Sequence, residues 1–269
     1  MLTPLYRFDR FSDFLHKKVP SLMQIASFSP ADTSRLNGAY EKHRSKTLPV
    51  EILNTTPFDL ADIYPEGDSR ILFDFAELIG ERIKSTFPFS KHPGLKEMIR
   101  RFVSTDDDTN GYLTGLGELA ILSELLQMPF ANVNAVEPPL PNGKKADFQV
   151  TISGNNQFIE VLTVRFDATQ IERDQDVVDF FVGRAKQKLD AKAQNLAADF
   201  PLLLFLVIFA ADDITKLASF PKGLWHLCDS LEKMCTFSPF VIAPFSQPGS
   251  SWKYDIHPVT HLISTTDDA

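Results

Sequence analysis

Apolar positions in the first hundred residues recur at every third or fourth place. Phe8, Phe11, Leu15 and Val19 fall on one helical face. Ser29 followed by Pro30 predicts a helix start, a capping hydroxyl ahead of a proline at the first helical position. That helix carries Leu36 and Tyr40 and runs toward Lys46, and residues 49–65 then read as loop. Residues 69–84 predict an amphipathic helix, with Ile71, Leu72, Phe75, Ala76, Leu78, Ile79 and Ile83 as its apolar positions. Another opens at Pro93 and passes through Leu95, Met98, Ile99 and Phe102. The run Asp106-Asp107-Asp108-Thr109-Asn110-Gly111 breaks this pattern. It divides a helical N-terminal region, 1–110, from a second region, 111–269.

The periodicity then changes. Residues 116–126 form an apolar helix that carries Glu118 and Glu124, and 133–136 a short strand. Pro138, Pro139, Pro141 and Asn142-Gly143 make a loop. Residues 147–152 alternate Asp-Phe-Gln-Val-Thr-Ile with a period of two, Ser153-Gly154-Asn155-Asn156 reads as a turn, and 158–164 as a second strand. One long helix is predicted over 173–198, with a potential break at Gly183, then a buried strand over 202–210. A helix over 220–234 and a strand over 237–243 close the pattern. Helices interspersed with a hairpin and further strands define an α/β core whose mixed sheet is covered on both faces.

Composition narrows the function classes. Hydrophobic residues are 43% and charged residues 23% of 269, the make-up of a chain that folds without staples. The net charge of -8 excludes a basic nucleic-acid coat, so any such contact must come from a local patch. Cys228 and Cys235 are too few for a disulfide scaffold, and on one helix they would stand roughly 10 Å apart. The N-terminus lacks an apolar signal core, and the apolar run 200–211 is shorter than a bilayer span. The expectation is a cytoplasmic protein with no membrane segment.

The hairpin carries the chemistry. A four-residue turn at 153–156 would place Asp147 opposite Leu162 and Gln149 opposite Glu160, with all four on one face. Asp147 and Glu160 are then diagonal neighbours about 7 Å apart, a separation that suits one hard divalent cation between them. Phe148, Val150, Ile152, Ile159 and Val161 form the opposite, core face. A solvated polar face is the plain alternative. Glu118, in the sequence Gly117-Glu118-Leu119-Ala120-Ile121-Leu122, is either a charge at a helix N-terminus or an inward-pointing ligand.

These residues resemble the PD-(D/E)XK nuclease superfamily, the restriction-endonuclease-like fold. Glu118 stands on the helix, Lys145-Ala146-Asp147-Phe148 on the first strand and Phe158-Ile159-Glu160-Val161-Leu162 on the second, all within 112–210. The resemblance implies a restriction-endonuclease-like core with a mixed central sheet flanked by helices, preceded by an α-helical N-terminal region. It implies phosphodiester hydrolysis dependent on Mg²⁺ or Mn²⁺, held by Asp147, Glu160, the Val161 carbonyl and Glu118. Nucleic acid is the implied partner, DNA ahead of RNA, and a homodimer is compatible with it.

Two positions depart from the family pattern. Ala146 replaces a proline, and Leu162 replaces the lysine that assists the attacking water and offsets charge on the phosphate. Either the cation has moved to another element or catalysis has been lost, leaving a nuclease-fold protein that binds nucleic acid or a protein partner. The helix after the second strand offers Lys188 and Lys192, four apart and on one face, with Lys192 preferred; Lys145 is a further candidate. Arg184, Lys186 and Lys145 are the expected nucleic-acid contacts, along with Lys91, His92, Lys96, Arg100 and Arg101 near the boundary. Metal-free carboxylates at close range repel, so Asp147→Ala and Glu160→Ala are expected to leave the melting temperature unchanged or raised. Trp225 and Cys228 read as core. His257 and His261, with Pro258 between them, do not read as metal ligands.

Overall fold

The computed structural model describes residues 9–44, 58, 68–103, 111–210, 213–234, 236–245 and 253–264. The expected loop 49–65 and the acidic break 106–110 lie almost wholly outside them, as does Cys235. Contacts group the chain into two units, Met1–Ser123 and Glu124–Ala269.

The first unit is helical: α1 (Phe11–Lys18), α2 (Pro20–Ala26), α3 (Pro30–Arg44), α4 (Asp68–Thr86), α5 (Gly94–Val103) and most of α6 (Gly111–Gln127). The predicted first helix breaks at Val19, because Pro20 starts a new helix and has no amide to continue the old one. An aromatic cluster fills the centre, with Phe11 edge-on to Phe58 at 4.5 Å and Phe14 edge-on to Phe73 at 4.8 Å between ring centres. Asp32, in the first turn of α3, receives Lys96 at 3.0 Å and Arg100 at 2.8 Å from α5. The Lys96 bond, with the Ser29 hydroxyl and amide, holds its carboxyl far below the usual carboxylate range.

The second unit is a mixed α/β layer structure. Six strands lie in chain order: β1 (Ala131–Val136), β2 (Phe148–Ile152), β3 (Asn155–Arg165), β4 (Leu202–Phe209), β5 (Phe240–Phe245) and β6 (Lys253–Pro258). β1, β2 and β3 form an antiparallel meander, β4 and β5 run parallel to β3, and β6 returns antiparallel. Helix α7 (Asp174–Ala193) connects β3 to β4, and α8 (Ile214–Ala218) with α9 (Pro221–Lys233) connects β4 to β5. α10 (Thr260–Ser264) ends the described chain. Helix α7 passes Gly183 unbroken and ends at Ala193, five residues short of expectation. Its apolar stripe Val177, Phe181, Ala185 packs with Leu224 and Leu231 of α9 over Leu204, Leu206 and Ile208 of β4. The predicted last strand starts at Phe240 rather than 237, and β6 was not legible in the hydrophobic pattern.

The hairpin differs from expectation by one pair. Ile152 faces Asn155, so the turn is the two residues Ser153 and Gly154, at φ 49° and 86°. Two successive positive φ values are those of a type I′ turn, whose twist matches the strands. Parity is conserved because the register shifts by a whole pair, but Gln149 now faces Phe158, not Glu160. Trp225 is also corrected: it is 58% exposed, on the side of α9 opposite the buried Leu224, Leu227 and Leu231. Cys228 is core as expected, and burial pushes its thiol up to about 11.

Candidate active site

Glu160 lies in the middle of β3, at a position that alternation aims at helix α7. Its backbone neighbours Ile159 and Val161 point into the opposite layer and are 0% and 1% exposed. On Glu160's own face, Leu162 and Val164 follow in the strand direction and join the apolar cluster under α7. The helix runs back along the strand, so its buried stripe reads Val177, Phe181, Ala185, then Lys188 and Lys192. Apolar side chains therefore meet Leu162 and Val164, and the stripe turns cationic where it passes Glu160.

The result is a buried ion triad. Glu160 is 1% exposed; Oε1 lies 2.8 Å from Lys188 Nζ and Oε2 lies 2.7 Å from Lys192 Nζ. Lysines four apart project from successive helix turns about 6 Å apart, a spacing that lets them bracket one carboxylate. The Lys192 ammonium also donates to the carbonyl of Lys145. The side chain of Lys192 is 18% exposed and that of Lys188 36%. Lys192 is thus held by an ion pair to Oε2, which makes no hydrogen bond, and by the Lys145 carbonyl, while Lys188 borders solvent.

Asp147 enters from the strand start. It lies just before β2, and its N–H donates to the carbonyl of Ile159 (2.9 Å), the residue that Phe148 faces. Its Oδ2 accepts the Val161 N–H at 2.7 Å. The aspartate thereby sits against the peptide between Glu160 and Val161. Sequence reasoning put the Val161 carbonyl forward as a ligand; the group that meets Asp147 is its amide. The expectation that removing either carboxylate relieves repulsion is overturned, because each is already compensated, Glu160 by two ammoniums and Asp147 by a backbone donor.

Glu118 belongs to the first unit. It is 4% exposed, and its Oε2 accepts from Arg101 through Nη2 at 2.6 Å and Nε at 3.1 Å. Lys145, 65% exposed, pairs with Glu137 at 3.2 Å and leaves only its carbonyl to the triad. Arg184 lies over the ring of Phe180 at 3.6 Å, and Lys186 is exposed on the outer side of α7. His257 stacks on His261 at 5.0 Å and lies 3.4 Å from Asp255; burial holds its ring below the ordinary value of 6.5. Among the described residues, no three His, Cys, Asp or Glu side chains come together to hold a metal ion. No helix among them is long and apolar enough to cross a membrane. No protein-family model, curated protein or solved structure matches the chain.

Sequence reasoning missed two groups. Arg101 was read as a phosphate contact and is the partner of Glu118. Asn142, read only as a turn residue, bonds to the end of α7. Its signal was faint, since Asn before Gly mainly reports a turn.

Proposed function

We propose that the chain is a metal-dependent phosphodiesterase acting on nucleic acid, with a divergent restriction-endonuclease-like core. The observation that carries this reading is the pair of ammoniums within 2.8 Å of Glu160. They are delivered by the helix after β3, as a migrated lysine would be, and they supply the cation that Leu162 cannot. The order helix α6, strands β1 to β3, helix α7 and strand β4 supports it too, with Glu118 on α6, Glu160 on β3 and Asp147 immediately before β2.

The donors suit Mg²⁺ or Mn²⁺ by type, since Asp147 and Glu160 offer hard oxygens. Charge sets a condition. Two carboxylates and two ammoniums sum to zero, and a cation at Glu160 excludes an ammonium from the same oxygen. Lys188 borders solvent, so its turning outward is the change that frees Oε1. The Val161 N–H fixes the orientation of the Asp147 carboxylate. Lys192, and Lys188 once released, would offset negative charge developing on the phosphate. The cation, when bound, would supply Lewis acidity toward a phosphate oxygen. Arg184, Lys186 and Lys145 are the proposed contacts to the nucleic-acid backbone, DNA ahead of RNA, few in number and salt-sensitive.

One observation favours the inactive alternative. At 1% exposure, Glu160 has its charge compensated by two ammoniums without metal, although its Oε2 makes no hydrogen bond. The deciding experiment incubates the purified chain with plasmid, linear duplex, single-stranded DNA and RNA in Mg²⁺ or Mn²⁺, beside Asp147→Asn and Glu160→Gln. Cleavage by the wild type that both variants lose supports the enzyme. Absence of cleavage on all four substrates with either metal refutes it and leaves the inactive reading.

A further inference from the structure

The two lysines can bracket Glu160 only if the last turn of α7 is held in register over β3. Helix ends fray, and their final carbonyls have no partner within the helix. At the end of α7 the cap comes from another part of the chain. The Asn142 amide donates from Nδ2 to the carbonyl of Lys192 at 2.9 Å and to that of Gln194 at 2.8 Å. The Lys144 ammonium donates to the carbonyl of Ala191. Asn142 Oδ1 in turn accepts the Lys144 N–H at 3.1 Å, which locks the orientation of its amide. In the reverse direction, Lys192 donates its ammonium to the carbonyl of Lys145.

The segment 137–147 that supplies these groups is itself ordered. Leu140 N–H donates to the Lys144 carbonyl at 2.7 Å, Ala146 N–H to the Pro138 carbonyl at 3.0 Å, and Gly143, at φ 81°, makes the reversal that presents Asn142. Leu140 and Ala146 are 4% and 1% exposed and anchor the segment from below. Its last residue is Asp147. One short segment therefore ends in the strand carboxylate and also clasps the helix turn that carries Lys192.

We propose that Asn142 is a positioning residue: it fixes the C-terminal turn of α7 so that the Lys192 ammonium stays on Glu160 and on the Lys145 carbonyl. It touches neither carboxylate and acts through the helix. This rests on the active-site reading for its catalytic meaning, while the geometric claim stands alone and is tested alone.

The test is Asn142→Asp, which keeps the shape and the acceptor for Lys144 but removes the donor to the two carbonyls, with Asn142→Ala as the second variant. The readout is the ¹⁵Nζ resonance of lysine ammoniums at mildly acid pH and low temperature, where ammoniums held by two acceptors exchange slowly enough to be seen. The wild type shows a Lys192 signal, assigned by its loss in Lys192→Met. Both Asn142 variants are expected to lose that signal or to exchange at least tenfold faster, with backbone amide spectra changed only around 137–147 and 188–196. A Lys192 signal unaltered in both folded variants overturns the proposal, as does its absence from the wild type. If the variants unfold, Lys144→Ala, which removes one bond to the same turn, replaces them, with a smaller acceleration expected and none refuting. Where cleavage is found, Asn142→Asp lowers kcat with KM within twofold. Where none is found, the ammonium measurement still decides.

Discussion

Removing both ammoniums from Glu160 should cost far more than the two single removals suggest. Lys188→Met leaves the carboxylate on Lys192. Because Lys188 is 36% exposed, its contribution is discounted for screening to about 1 kcal/mol. Lys192→Met leaves Lys188, and its loss is also set at about 1 kcal/mol, since one charge-assisted partner remains. The double variant leaves a carboxylate, 1% exposed, with no cation. Breaking a buried pair in this way costs about 3–5 kcal/mol. An independent ceiling comes from protonation. A carboxyl of ordinary acidity takes up a proton at pH 7 for about 3.7 kcal/mol, which is cheaper than keeping a bare buried charge. The double variant is thus expected near 4 kcal/mol, about 2 more than the sum of the singles.

Protonation also gives the pH signature. The folded double variant binds a proton that its unfolded chain releases, so its deficit shrinks as pH falls, by about 1.4 kcal/mol per unit. Between pH 7 and 5.5 it should recover about 2 kcal/mol relative to wild type. The assay is native-state hydrogen exchange at the β3 amides, which reports the opening of the strand itself, independent of the helical unit. Additivity within about 0.5 kcal/mol, together with a deficit that does not change with pH, would refute the picture of one carboxylate shared by two ammoniums.

Asp147→Ala leaves the Val161 N–H without its acceptor and should destabilise the strand by about 1–3 kcal/mol, whereas Asp147→Asn keeps an acceptor oxygen and loses less than half of that; the same exchange measurement at Val161 separates them. An added Cβ at Gly223 would stand 2.6 Å from the Asp174 carbonyl oxygen, so Gly223→Ala should cost about 1–3 kcal/mol by urea denaturation. At exposed Gly183 nothing lies within 4 Å, so Gly183→Ala should stabilise by about 0.5–1 kcal/mol, and equal effects at the two sites would contradict the packing. Burial holds the His257 ring below 6.5 and Asp255 opposes the shift, so folding favours the neutral ring: its contribution is complete above pH 6.5 and is lost as pH falls through the depressed value. An NMR titration should place its midpoint below 6.5 and lower still in Asp255→Asn; a wild-type midpoint above 6.5 would contradict this.

Much of the second unit was legible because its signals are local. The alternation Phe148, Val150 against Gln149, Thr151 and the solid apolar run in β4 determine which faces are buried without reference to distant contacts. The turn was not read correctly, since Ser153-Gly154 alone suffices for type I′ geometry and the following Asn155-Asn156 only look like more of it. Strand β6 escaped because Tyr254 and Ile256 are its only strongly buried members, and it borrows its order from β5. At the site, Glu160, Lys188 and Lys192 were legible by spacing, because i,i+4 on a helix and parity on a strand are short-range rules. Their buried charge balance was not, since it depends on how the helix lies over the sheet. For the same reason the Arg101–Glu118 pair and the Asn142 cap could not be read from spacing.

That dependence on helix placement distinguishes this site from one with its lysine on the strand. A lysine at position 162 would be held by the same backbone ladder that holds Glu160, and little outside the strand could move one relative to the other. Lys188 and Lys192 instead belong to a 20-residue rod whose position is set at its ends. At the N-terminal end, Asp174 Oδ1 accepts the Gly223 N–H at 2.6 Å from α9; at the C-terminal end stand Asn142 and Lys144. A rigid helix transmits a displacement at either end to the whole stripe, whereas the apolar contacts of Val177, Phe181 and Ala185 tolerate small shifts better than a directional bond does. Gly223→Ala should therefore disturb the Lys188 and Lys192 ammoniums even though it lies at the far end of the helix. A change at position 162 that conserves volume, such as Leu162→Met, should leave them in place.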